Sequence, residues 1–349
     1  MKNKTVTLKT LAQQIGLTPA TISKALRDSS DISKATIKKV KALADELGYQ
    51  PNFMARTLVN KNSNIIGVIV PVLSESFFGF MVHAINDTAR KNGYETIILM
   101  NNEDHEIEKK NLEFLSMLQV DGVCIDSVPG NKNSSIKKRL MERGVPFVSM
   151  DRKCDGIETD TVSTNDIKAS YSMVKHFINN GKKGIAFVGA IGSLSVASER
   201  YKGYKKALKD FNLKFDEKLV VKINVEIEHE KVNEQIRKLL KSKKKIDAIV
   251  CAGGQIAYLV GKVLADENIS IPKDMYLGEF GDNNIVHRLG VPFVTIDQAP
   301  YEIGKKAVEI LIERLKNKDR KSKPKHLKID SRLIYHNPSV NEHILIEKI

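Results

Sequence analysis

Pro19, Ala20, Thr21, Ser23 and Lys24 bring small apolar groups, hydroxyls and one long cation together on a single short segment. At the start of a helix these residue types suit the edges of DNA bases. Ala and Thr can touch a thymine methyl, hydroxyls reach bases or phosphates, and a Lys reaches guanine acceptors. A solvated helical hairpin would carry the same polar face, so the surrounding residues have to decide between the two. No catalytic set competes for the chemistry. The sequence has no CxxC, no HExxH and no Cys/His cluster, and the GAIGS turn at 189–193 lacks the Gly-Lys-Ser/Thr ending of a phosphate loop. Neither an enzyme nor a metal or cofactor is expected.

The elements that must position those residues are legible nearby. In LKTLAQQIGLTPATISKAL, residues 8–26, Thr7 is placed to cap a first helix whose Leu8, Leu11, Ala12 and Ile15 share one face. Gly16 can adopt the positive φ that stops it. Thr18 caps a second helix with Pro19 at its first position, where a missing N–H is harmless. Ile22 and Leu26 then turn inward. A third helix is predicted over 34–47 with Ser33 as cap, a stripe of Ile37, Val40, Ala44 and Leu47, and Gly48 at its end. Three helices around one small core complete a helix-turn-helix headpiece.

Charge supports that reading. The chain of 349 residues carries a net +14. Residues 1–61 hold eleven Lys/Arg against four Asp/Glu, so half of the excess lies in about a sixth of the length. Such concentration is the footprint of a polyanion-binding module. A second basic run at 316–328 has no apolar pattern and reads as a solvated crossover. No run is long and apolar enough for a membrane span or an export signal, and Cys124, Cys154 and Cys251 read as buried reduced thiols, so a cytoplasmic protein is expected.

Residues 49–64 form a linker with a possible helical segment at 52–58, too short to be stable alone. From residue 65 onward short apolar runs at 65–70, 96–99, 123–125, 147–150, 185–188, 219–223, 248–251, 275–280 and 293–296 alternate with helical patterns. This implies an α/β core of parallel sheets covered on both faces, in two linked subdomains. A ligand is expected at the carboxyl ends of the strands, in the cleft between the subdomains.

The headpiece motif, the third helix ending ELGYQPNFMARTL, the strand NIIGVIVP, and then SESFF, KNGYE, VDGVCI, GVPFVSMDR, SERYKGYKKAL and TIDQ in that order resemble the LacI/GalR family of bacterial transcription regulators over essentially the whole chain. The resemblance implies a DNA-binding headpiece at 1–50, a hinge helix and linker at 51–62, and an effector-binding core of periplasmic-binding-protein type at 63–349. It places the N-subdomain at about 63–161 and 295–322, and the C-subdomain at about 162–294 and 323–349. It implies a homodimer or tetramer on a pseudo-palindromic operator, regulated by a small-molecule effector, a sugar or sugar derivative. The lack of a Leu-heptad tail disfavours a tetramer built by a C-terminal helix bundle.

Carried over by position, Thr18, Pro19, Ala20, Thr21, Ser23 and Lys24 would read the operator together with Asn52, Ala55 and Leu58 of the hinge, Leu58 as a minor-groove wedge. Lys24 stands where an Arg is common, which weakens a bidentate guanine contact. Phe77, Phe78, Asp126, Asp151, Arg200, Asp282 and Gln298 would meet the effector, the aromatics by stacking and the charged groups by holding polar atoms.

The chain also departs from the family. Gly253 and Gly254 stand where Asn-Asp is usual, and Gly281 stands where an Asp commonly grips the effector. The effector is therefore expected to differ from a plain sugar: bulkier, or carrying a negative charge toward Arg200, or replaced by a partner protein. A one-residue shift of Asp282 and Glu279 would instead restore the usual contacts. The alternative function is a small-molecule binding protein without a DNA role.

Overall fold

The computed structural model describes residues 6–49, 62–192, 194–223, 229–242, 244–281, 289–317, 322–337 and 342–349. It divides into two units, Met1–Ser63 and Asn64–Ile349. The expected hinge residues Asn52, Ala55 and Leu58 lie outside the described residues, as does Asp282.

In the first unit, α1 (Leu8–Ile15), α2 (Pro19–Ala25) and α3 (Lys34–Glu46) enclose Leu11, Ala12, Ile22, Ala25, Val40 and Ala44. Each helix starts as its sequence dictates. Thr7, Thr18 and Ser33 are N-caps whose side chains accept from the backbone N–H three residues on, and Thr10 returns a bond to Thr7 to close a capping box. Gly16, at φ 73°, ends α1 in the left-handed region. A core of six small and medium side chains makes a marginal module, so the caps account for an appreciable share of its stability.

The second unit holds two sheets. The first contains β1 (Ile65–Val70), β2 (Glu95–Met100), β3 (Gly122–Ile125), β4 (Phe147–Met150), β5 (Asp160–Thr164) and, from late in the chain, β11 (His326–Ile329). Its order is β11-β5-β4-β3-β1-β2 and every pairing is parallel. The helices of this half are α4 (Ser76–Lys91), α5 (His105–Met117), α6 (Ser134–Glu142) and the returning α11 (Pro300–Asn317).

The second sheet contains β6 (Ile185–Gly189), β7 (Val220–Lys222), β8 (Ala248–Cys251), β9 (Tyr276–Phe280), β10 (Phe293–Asp297), β12 (Arg332–Asn337) and β13 (Glu342–Lys348), in the order β13-β12-β10-β9-β8-β6-β7. Its helices are α7 (Asp166–Asn179), α8 (Ser195–Asp210), α9 (His229–Leu240) and α10 (Gly254–Asp266). Central strands such as β1, β6 and β8 are buried along their whole length, as parallel strands covered on both faces must be. Gly203 sets the approach of α8 to α7: a Cβ there would lie 2.2 Å from the carbonyl oxygen of Ile167.

Two sequence expectations are corrected. The chain crosses between the sheets after Thr164, after Asp297 and after Ile329, later than the expected subdomain boundaries at 161/162, 294/295 and 322/323, because β5 and β11 pair within the first sheet and β10 within the second. The basic run at 316–328 is likewise not all crossover, since its end enters β11, an exposed edge strand. Strands β5, β11, β12 and β13 carry too many polar or charged residues to announce themselves as apolar runs.

Candidate functional site

The second helix of the first unit is seven residues long, and Pro19 at its first position leaves the cap of Thr18 to serve Thr21. Thr18, Pro19, Ala20 and Lys24 are exposed, while Thr21 and Ser23 are half-buried. The hydroxyls of Thr18 and Thr21 lie 2.9 Å apart and bond to each other. Lys24 is engaged locally: its Nζ lies 2.5 Å from Asp31 Oδ2, and the Ser29 hydroxyl donates to the other oxygen of Asp31 at 2.6 Å. Those two bonds hold the Asp31 carboxyl below its ordinary range, the Lys24 bond contributing most. A solvent-exposed pair of this kind is weak and exchanges readily for a phosphate. Asp31 was not a sequence expectation, because a partner seven residues away across a turn leaves no periodic signal.

The second unit has a cavity of about 290 Å³ at the carboxyl ends of the strands of both sheets. Of the expected effector residues, Phe77, Phe78, Asp151, Arg200 and Gln298 line it. Phe77 and Phe78 begin α4 just after β1, with ring centroids 5.2 Å apart in an edge-to-face pair. Asp151 follows β4 directly, Gln298 follows β10 directly, and Arg200 reaches in from α8. Asp126 is not a wall residue. It is fully buried after β3, behind Arg152, whose Nε lies 3.4 Å from Asp126 Oδ1.

Arg152 is the residue that the sequence reading missed. It lines the cavity and donates two bonds to Glu103, at 2.9 and 2.7 Å, in the fork geometry peculiar to guanidinium. Burial opposes its charge, but Asp126 and Glu103 hold it protonated more firmly than usual. Arg200 is equally committed: Nε donates to Asp166 Oδ1 at 2.6 Å, Nη1 to the Ala252 carbonyl at 2.9 Å, and the guanidinium lies 4.2 Å over the Phe280 ring.

Three buried polar atoms of wall residues make no hydrogen bond among the described residues: Asp151 Oδ1, Gln298 Nε2 and Arg152 Nε, the last left with only its 3.4 Å ion pair to Asp126. Burial and the neighbouring Asp166 push the Asp151 carboxyl up to about 6, against the pull of Arg200, Arg152 and Lys328. Asp151 also has φ 56°, a left-handed conformation that is uncommon for a non-glycine residue. Burial raises Asp126 well above the carboxylate range, only partly opposed by Arg152. Buried polar groups are normally satisfied, so unpaired ones facing a cavity indicate a place for a ligand or water.

The two departures separate here. Gly281 has φ 102°, and a Cβ on it would lie 3.0 Å from Gln298 Oε1, so the backbone itself calls for glycine. The proposed shift of Glu279 into the site is not what the fold provides: Glu279 lies fully buried within β9 and accepts a bond from Thr295 of β10. Among the described residues there is no cluster of His, Cys, Asp or Glu able to hold a metal, and no helix long and apolar enough to cross a membrane.

Comparison with known proteins places these two units in one lineage. Residues 7–52 match the family profile of bacterial regulatory proteins, lacI family, and residues 63–337 match that of periplasmic binding proteins and the sugar binding domain of the LacI family. The HTH-type transcriptional regulator RegA of Clostridium saccharobutylicum is 31% identical over 314 residues, which is 89% of this chain and 93% of that protein. The HTH-type transcriptional repressor PurR of Photobacterium profundum is 27% identical over 319 residues, covering 90% and 93%. The lac repressor dimer bound to operator and an anti-inducer superposes with a TM-score of 0.80 at 21% identity, over 99% of this chain and 98% of that one, a likeness of fold.

Proposed function

The chain belongs to the LacI family of bacterial transcriptional regulators, and from that premise we propose that it is a repressor that binds a pseudo-palindromic operator as a homodimer and is switched by a small carbohydrate-derived effector in the cleft. It is a regulator and not an enzyme. The operator is read by Thr18, Pro19, Ala20, Thr21, Ser23 and Lys24, with the hinge residues Asn52, Ala55 and Leu58 completing the contact. Phe77, Phe78, Asp151, Arg200 and Gln298 hold the effector. Asp126 acts on it indirectly, through Arg152.

The observation that carries the reading is the pairing of a capped reading helix in one unit with a cavity in the other whose wall holds unpaired buried polar atoms. Relatives named as a regulator and a repressor support the same role. A second copy of the chain is the partner that best suits edge strand β2 and its neighbour α5, where Ile98, Met100, Phe114 and Met117 are exposed; Met117 is 68% exposed. Apolar side chains grouped in this way mark an interface.

Selection of fragmented genomic DNA on the purified chain at about 0.15 M salt, followed by sequencing, tests the proposal; salt must be fixed because non-specific binding rises steeply as it falls. A recovered pseudo-palindrome is the expected result. Recovery of no enriched sequence, with or without added cell extract, would remove the DNA-binding role.

A further inference from the structure

The cavity has two unlike walls. Glu75, Glu103 and Asp151 bring carboxylates to it from the half built on the first sheet. From the other half the described lining residues include Arg200, Gly253, Gly254, Gln255 and Gln298 and no carboxylate.

Gly253 is the informative residue. Its φ of 174° is extended backbone open to any residue, and a Cβ added there would meet nothing nearer than Ile256 Cδ1 at 4.0 Å. Neither conformation nor packing requires glycine, in contrast to Gly281. The missing side chain is instead room in the cavity, at the start of the 13-residue helix α10.

That helix has no side-chain cap. Its first turn bonds only from Ala257 N–H to the Gly253 carbonyl, at 3.1 Å, and the N–H groups of Gly254, Gln255 and Ile256 have no partner among the described residues. Three orphan donors at the positive end of a helix dipole attract an anion. A second, independent donor stands on the same wall. Gln298 is 4% exposed, its Nε2 is unpartnered, and it leaves the end of β10, one strand beyond β9 from the β8 end that carries Gly253. Arg200 adds a third, because its bond to the Ala252 carbonyl fixes the guanidinium beside the residue that precedes Gly253.

We propose that this wall is an oxyanion subsite, and that the effector carries a phosphate or carboxylate group seated on the first turn of α10 and within reach of Gln298 Nε2 and Arg200. The body of the ligand lies toward Phe77, Phe78 and Asp151, and a sugar phosphate or a sugar acid has the required polarity. This rests on the cleft being the effector site and adds the charge of what it binds.

Binding to the full chain is measured by calorimetry and thermal shift at matched ionic strength. The probes are inorganic phosphate, D-glucose, D-glucose 6-phosphate, D-glucuronate, D-ribose and D-ribose 5-phosphate. Gly253→Asp places a carboxylate in the open space, where it also caps α10 and so favours the fold. Phosphate is expected to bind this variant at least about tenfold more weakly than the parent chain. Gln298→Glu tests the second donor and is expected to weaken phosphate in the same direction. Tighter binding of phosphorylated sugars than of glucuronate would assign the phosphate, and the reverse order the carboxylate. Equal phosphate binding by the parent, Gly253→Asp and Gln298→Glu chains overturns the subsite. Neutral sugars that bind as tightly as their anions, and are lost in Arg200→Ala, overturn it too while leaving the effector cleft intact. Silence from every probe removes both.

Discussion

The proposed reading helix and the cleft solve the problem of polar groups in opposite ways. Around α2 the hydroxyl and cationic groups nearest solvent are already paired, Thr18 with Thr21 and Lys24 with Asp31. In the cleft Asp151 Oδ1 and Gln298 Nε2 are buried and unpaired, beside guanidiniums held in place by carboxylates, Arg152 by Glu103 and Arg200 by Asp166. Exposed pairs exchange one partner for another at little free-energy difference, which suits a surface that must slide over many DNA sequences before it stops. Buried unpaired groups keep an unfavourable desolvation term until a matching ligand arrives, which suits a site that must distinguish one small molecule. The consequence is that mutations in the two regions should differ in size as well as in kind.

Arg152→Ala should have the largest effect. It strands the Asp126 and Glu103 carboxylates, and losing one partner of a buried pair costs on the order of 3–5 kcal/mol. Urea unfolding followed by circular dichroism reads this directly, and a loss below about 1 kcal/mol would place the network in the same class as the surface pairs of the headpiece.

Asp151→Asn should act in the other direction and depend on pH. The folded carboxyl titrates at about 6 against an ordinary 3.8, so the protonated form is favoured by folding. Its contribution to stability is present below about pH 4 and is lost as pH rises through 6. The amide should therefore stabilise the chain at pH 7.5 by on the order of 1–2 kcal/mol and make no gain at pH 4. Thermal unfolding at the two pH values checks the sign, and an equal change at both would show that burial of this carboxyl is not the cause.

In the headpiece, Lys24→Ala should leave core stability unchanged, weaken operator binding about tenfold and reduce the salt slope by about one counterion. The smallest effect belongs to Asp31→Asn. Releasing Lys24 from its exposed pair should raise DNA affinity by up to about fivefold at low salt and by less at high salt. Fluorescence anisotropy on a labelled operator follows both variants. A loss of affinity in Asp31→Asn would mean that Asp31 orients Lys24 for DNA and does not merely compete for it.

The same contrast decides what the sequence could reveal. Caps and helix stripes in the headpiece depend on residues three or four apart, so Thr7, Thr18, Ser33 and the inward stripe were legible from spacing. In the core, apolar parallel strands were legible for the same reason, whereas the meeting of Phe77, Asp151 and Gln298 in one place was expected from the family resemblance and not from spacing. Arg152 was not, since its partner Glu103 is 49 residues away and nothing local distinguishes it from a surface arginine. Strands β5 and β11 were hidden by polar residues, and with them the true crossings between the sheets. The glycines illustrate the limit most clearly: Gly253 and Gly281 look alike as missing side chains, yet one is demanded by a φ of 102° and the other, at 174°, is not.

This chain is proposed to recognise a particular DNA sequence through the second helix of its headpiece. The most direct test is the ratio of its affinities for the recovered operator and for a shuffled duplex of equal length, at about 0.15 M salt, in the parent chain and in Lys24→Ala. A ratio of at least about a thousandfold in the parent, reduced in the variant, is the predicted result. Equal affinity for the two duplexes would contradict it.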